Sequence, residues 1–212
     1  MSNFTNWHED FPDRCLRLIG QFEKNIQNRL STFSLMVAPS LLIAPYERLQ
    51  TFPGKRINPQ RDFDRFKKAK EEFDKLMEGK FEDAPFMADA QDGSWKYGKI
   101  ATNIGQPDLW ADEKGHSCPD ESFWKGMSTL QVNFVWECLR DSLAHWNIAT
   151  TDSLFQQKDR IQYLLFYRSK NNRYPWDAIK TTEKEFFRFI KAWATFLTES
   201  PAREALEGFE AA

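Results

Sequence analysis

The sequence predicts an all-α fold: a helical bundle of about five to six helices with an irregular insertion at about 79–117, in a single domain over residues 1–212. Three observations carry that expectation. Apolar residues recur at steps of three and four through most of the chain, polar capping patterns precede the later helical runs, and the one long stretch without helix periodicity, Gly79 to Ser117, shows no persistent strand periodicity either.

Taken in order, Asp10 to Asp13 reads as a helix entry, with Pro12 suited to a first turn. Leu18, Phe22, Ile26, Leu30, Phe33 and Val37 then continue one apolar stripe along a long amphipathic helix. Pro39 and Pro45 are expected to break or kink the helical run at its far end, ahead of a Pro53-Gly54 turn. Just before that turn, Glu47 and Arg48 read as a helix-end ion pair or as support for a histidine. A third helix is expected over Asp62 to Met77, with Phe63, Phe66, Phe73 and Leu76 inward and a solvated Lys/Asp/Glu face. From Gly79 to Ser117 no period persists; Trp95, Tyr97, Ile100 and Ile104 allow a short hairpin, and so long an irregular stretch is expected to cover part of the bundle.

The run from Phe123 to Trp146 reads as the central helix, because Met127, Leu130, Phe134 and Cys138 are joined by Val135, Leu139 and Leu143 in a wide apolar stripe. Thr151 or Asp152 caps a further helix through Tyr167, with Leu154, Ile161, Leu164 and Leu165 inward. Thr182-Glu-Lys-Glu185 is a capping-box pattern opening a last long helix that aligns Phe186, Phe189, Ile190, Trp193 and Leu197. Ser200-Pro201 can start a short terminal helix.

Composition narrows the function classes. At 212 residues with 19 Phe and 8 Trp, the chain can build one good core, and part of the aromatic surplus is expected in a homodimer interface. A net charge of −2 argues against an indiscriminate nucleic-acid binder. The charge is uneven: Glu82 to Trp124 holds nine acidic residues against three Lys, whereas Lys158 to Lys191 holds nine basic against four acidic. Within the basic segment, Arg168, Lys170 and Arg173 flank Asn171-Asn172 beside Tyr174, a pattern able to touch RNA phosphates and stack a base, or simply a solvated loop. Three widely spaced Cys (Cys15, Cys118, Cys138) and the absence of a leader-like start point to a cytoplasmic protein with reduced thiols. The longest apolar stretch, Leu35 to Ala44, is too short to span a bilayer.

The polar residues of the central helix are the candidate site. Arg140-Asp141-Ser142-Leu143-Ala144-His145 places charge in an apolar run, where it is costly unless paired or facing a cleft. Arg140 and His145 stand roughly 140° apart in direction and about 7.5 Å apart along the axis. Asp141 and His145 are i,i+4 neighbours, so the carboxylate can orient the imidazole. Cleaving RNA needs a base for the 2′-hydroxyl, an acid for the departing 5′-oxygen and positive charge on the phosphate. His suits both proton steps near neutrality, and Arg offers a planar fork that matches two phosphate oxygens. One His serves one proton step at a time, which calls for the second His of a symmetric dimer. The plainer reading is that Arg140 and His145 complement the negative end of the helix dipole.

Leu139-Arg140-Asp141-Ser142-Leu143-Ala144-His145 resembles the signature of the HEPN superfamily (higher eukaryote and prokaryote nucleotide-binding domains): Arg, a polar residue, three more positions, then His. The resemblance covers about seven residues. It implies an α-helical bundle that dimerises through the motif helices, and a metal-independent endoribonuclease of toxin–antitoxin or phage-defence type, with no cofactor. Arg140 would hold the scissile phosphate, His145 would move the proton and Asp141 would orient the histidine. RNA is the implied substrate and an antitoxin protein an implied partner. Some HEPN toxins carry a Tyr two residues after the His, modified by a partner nucleotidyltransferase; Asn147 stands there in this chain.

The rival expectation is a non-catalytic helical module that binds a nucleotide, RNA or a protein partner. No phosphate-cradling Gly-rich loop, nucleophile elbow or His-Glu-x-x-His pattern occurs. His116-Ser117-Cys118 is too small a group for a metal site unless other ligands join it.

Overall fold

The computed structural model describes residues 7–23, 30–50, 71–102, 104–151, 161–169 and 174–199. It corrects the all-α expectation: among the described residues five α-helices accompany a four-stranded antiparallel sheet, so the fold is mixed α/β. The helices are α1 (Trp7–Phe22), α2 (Leu30–Gln50), α3 (residues 71–78), α4 (Val132–His145) and α5 (Glu183–Glu199). The strands are β1 (Trp95–Ile100), β2 (Ile148–Thr151), β3 (Tyr163–Arg168) and β4 (Trp176–Thr182), in the order β1-β4-β3-β2. The remaining basic-loop residues, the start of the expected third helix and the Ser200-Pro201 segment lie outside the described residues.

The sheet was hidden by its own burial. Leu164, Leu165 and Phe166 are all fully buried, although neighbours on a strand point to opposite faces. Leu164 and Phe166 join Trp95, Ile179 and the helices in the larger core, while Leu165, Ala178 and Ile100 join Trp110, Cys118, Phe123 and Trp124 in a second core. A strand covered on both sides shows a continuous apolar run, which reads equally well as a buried helix. The segment expected to be irregular supplies β1, which pairs with β4 rather than with a local partner, and then covers the sheet face opposite the helices. Where that cover meets β1 the backbone must be bare: a Cβ at Gly98 would overlap the Phe123 ring, with Cδ1 at 2.9 Å.

On the helical side, α5 packs against α1 and α2, and α4 lies between α2 and β3. Half of the capping box forms, with the Glu185 amide donating to Thr182 Oγ1 at 3.2 Å while the Glu185 carboxylate accepts instead from the Gln91 amide and the Ser94 hydroxyl, and all five residues expected inward on α5 are buried. The expected first helix is instead two, and α2 runs through both Pro39 and Pro45. Tolerance of Pro45 has a visible cause. Proline has no N–H to offer the carbonyl four residues back, which is that of Leu41. The buried indole N–H of Trp193 donates to that carbonyl at 2.7 Å, and Trp136 donates to the next one, Leu42, at 3.4 Å. The two indoles pack with ring centroids 4.2 Å apart. Trp193→Phe should keep most of the packing but leave the Leu41 carbonyl buried and unpaired, lowering unfolding free energy in urea by about 1–3 kcal/mol.

Candidate functional site

Helix α4 enters through main-chain bonds, with the Val132 amide donating to Gly79 O at 2.9 Å and the Phe81 amide to Leu130 O at 2.8 Å. Val135, Trp136, Cys138, Leu139, Ser142 and Leu143 are buried. The serine inside the Arg-to-His motif fixes the helix to the sheet: the Ser142 hydroxyl hydrogen is shared between Cys138 O at 2.7 Å and Tyr167 O of β3 at 3.0 Å. What remains of α4 is a polar seam. Phe134, Glu137, Arg140 and Asp141 are partly buried along it, and Ala144 and His145 are exposed at its end.

Arg168, the last residue of β3, projects onto that seam from below. The sequence predicts a surface cation there, touching phosphate or solvent; only 3% of its side chain is exposed. The strand alternation explains the difference, because Arg168 shares the face of Leu164 and Phe166, which α4 covers. Its Nη1 donates to Glu137 Oε2 at 2.9 Å and to Asp141 Oδ2 at 3.4 Å, and its guanidinium carbon sits 5.3 Å from the centroid of the Phe134 ring. Nε and Nη2 are buried without a hydrogen-bond partner among the described residues. Burial works against the charge, but the Glu137 hydrogen bond and the carboxylates of Glu137 and Asp141 outweigh it, and the Arg168 pKa is raised. On the same sheet face, Tyr97 donates its hydroxyl to Asp177 at 2.7 Å, and burial together with that carboxylate pushes the phenol far above its ordinary range.

Asp141 therefore faces two guanidiniums. Its Oδ1 accepts from Arg140 Nε at 3.0 Å and Nη2 at 2.6 Å, while Oδ2 faces Arg168. No hydrogen bond joins it to His145 among the described residues, so the i,i+4 spacing does not become a contact. The structure brings Arg140, Asp141 and Arg168 together at mid-helix and places His145 in the last turn. Lys170 and Arg173, the other expected substrate contacts, lie outside the described residues.

The residue after His145 was missed by sequence reading. Trp146 ends α4 in the left-handed region (φ 58°, ψ 27°), its amide donating to Ser142 O, and 65% of its surface is exposed. Glycine or asparagine ordinarily holds such a cap, and an L side chain there costs roughly 1–2 kcal/mol. Nothing in the apolar spacing signals it.

A histidine held by a carboxylate lies elsewhere. His116 Nδ1 is 2.9 Å from Asp112 Oδ2, while Asp112 Oδ1 accepts from the Lys114 and His116 amides at 2.8 and 2.9 Å. Burial pushes the Asp112 pKa up, yet the hydrogen bonds from His116 and Lys114 prevail and hold it below its ordinary value. His116 does not share a site with Cys118, which is buried in the second core with its thiol pushed up to about 12 by burial. Among the described residues no three His, Cys, Asp or Glu side chains are grouped to hold a metal ion, and no helix is long and apolar enough to cross a membrane.

Breaking the seam has a direct energetic consequence. Glu137→Ala removes the shorter of the two carboxylate contacts to a buried guanidinium and should cost on the order of 3 kcal/mol in denaturant unfolding. Arg17→Ala, which breaks an exposed pair with Asp13, should cost well under 1 kcal/mol in the same assay.

No curated protein sequence and no solved structure matches this chain. A family model does, over nearly the whole of it: residues 1–203 match HEPN pEK499 p136, so the chain belongs to this HEPN family.

Proposed function

We propose that the chain is an endoribonuclease of HEPN type that cleaves RNA without a metal, acting as a toxin or phage-defence effector in the cytoplasm. The observation that carries this reading is the Arg140-to-His145 motif on the polar seam of α4, in a chain that belongs to a HEPN family. Arg140 holds the scissile phosphate with its planar fork, and His145 handles the proton. A homodimer brings two seams together, so that one His145 takes the 2′-hydroxyl proton while its counterpart protonates the leaving 5′-oxygen. Lys170 and Arg173 contact the flanking phosphates, and an antitoxin protein restrains the activity.

The contacts of Asp141 support a role other than orienting the histidine. Asp141 restrains Arg140 through Nε and Nη2, and its second oxygen faces Arg168, whose nearer carboxylate is Glu137. Arg168 is thus a positioning residue that acts through Asp141.

One observation favours a rival reading. Arg140 already has a carboxylate partner, as it would in a non-catalytic module whose polar triplet joins two protomers or binds a nucleotide, RNA or a protein partner. The two readings separate on variants. Purified wild type incubated with total RNA and tRNA in EDTA should give discrete fragments, and His145→Ala should reduce cleavage by roughly 10²- to 10⁴-fold with its sedimentation and melting unchanged. Intact RNA with wild type, together with a dimer that dissociates in Arg140→Ala, would replace the enzyme reading by the module.

A further inference from the structure

We infer that Trp146, the residue after His145, is a stacking platform for an unpaired RNA base of the substrate. The inference rests on the ribonuclease reading for its purpose, but its evidence is separate. Trp146 combines two features that a fold does not retain for stability: a left-handed backbone (φ 58°) on a bulky residue and an indole that is 65% exposed. Its neighbour Asn147 is of a type that tolerates this conformation well, and Asn147 does not occupy it. The left-handed cap turns the chain out of α4 immediately after the histidine, so the exposed tryptophan directly follows the proton-handling residue at the helix end.

The topology assembles a matching rim. Ile100 pairs with Trp176, Asp177 with Arg168, and Phe166 with Ile148, so the end of β1, the end of β3, the start of β4 and the end of α4 share one end of the sheet. Three of the six exposed large apolar side chains among the described residues fall there: Leu109 at 66%, Trp146 at 65% and Tyr174 at 50%. Lys99, exposed on β1 opposite Asp177, adds a cation to the same rim.

The chemistry asks for such a surface. The 2′-oxygen attacks in line with the departing 5′-oxygen, a geometry that a stacked A-form helix does not offer, so one base must be splayed out. An aromatic face beside the reacting phosphate holds that base without regard to its identity, and phosphate contacts set the register.

The test is binding of a short single-stranded oligonucleotide carrying 2′-O-methyl groups throughout, which cannot be cleaved, measured by fluorescence anisotropy on wild type, Trp146→Asn and Trp146→Tyr. Asparagine suits the left-handed cap, so Trp146→Asn should melt no lower than wild type. It should bind about fivefold or more weakly, whereas Trp146→Tyr should stay close to wild type. Unchanged affinity in Trp146→Asn would overturn the inference, as would wild type that binds no oligonucleotide. A dimer lost in Trp146→Asn with affinity kept would assign the indole to a protein interface and overturn it too. If wild type binds through Trp146 yet leaves ordinary RNA intact, the ribonuclease reading fails while the stacking platform stands.

Discussion

A guanidinium buried between a sheet and a helix governs this molecule. Arg168 must leave water at the end of β3 because the strand alternation aims it beneath α4, and an unpaired charge in that position would cost several kcal/mol. The helix answers with Glu137 and Asp141, one turn apart on its polar seam, and with the face of the Phe134 ring. The same contacts therefore set the rotation of α4 about its axis and the placement of Arg140. Stability and the candidate site draw on one set of groups, so a substitution in the seam acts on both.

The helical layer behind α4 is built on a comparable exchange. Pro45 deprives α2 of a hydrogen bond, and the lost partner is replaced by an indole from α5 rather than by water. The replacement ties α2 to α5, while Trp136 ties α2 to α4. On the far face of the sheet, a segment with little regular structure closes a second core around Trp110, Phe123 and Trp124. Both covers make the sheet a middle layer, and the open end of that layer carries the motif helix terminus.

Sequence legibility followed the source of the signal. The last helix was readable because Thr182 to Glu185 cap it locally and its apolar face repeats over four turns. The motif was readable because Arg140, Asp141 and His145 are polar residues in an apolar run, and family membership bears out the HEPN resemblance. The sheet was not readable: Tyr163 to Arg168 is buried on both sides, so it lost the alternation that distinguishes a half-exposed strand. Pro39 and Pro45 both signalled a break that α2 does not show, and at Pro45 a tertiary hydrogen bond to the Leu41 carbonyl replaces the lost one. Arg168 looked like a surface cation because its burial depends on α4 covering its face of β3. Trp146 carried no periodic signal at all, since its meaning lies in a backbone angle.

Arg168 and Glu137 act as one unit that holds α4 on the sheet. Urea unfolding of wild type, Glu137→Met, Arg168→Met and the double variant measures this directly. If the pair is that unit, the double variant loses less than the two singles summed, with a coupling of about 1–3 kcal/mol, because removing both charges leaves neither stranded. Losses that simply add would contradict it and free the orientation of α4 from the buried guanidinium.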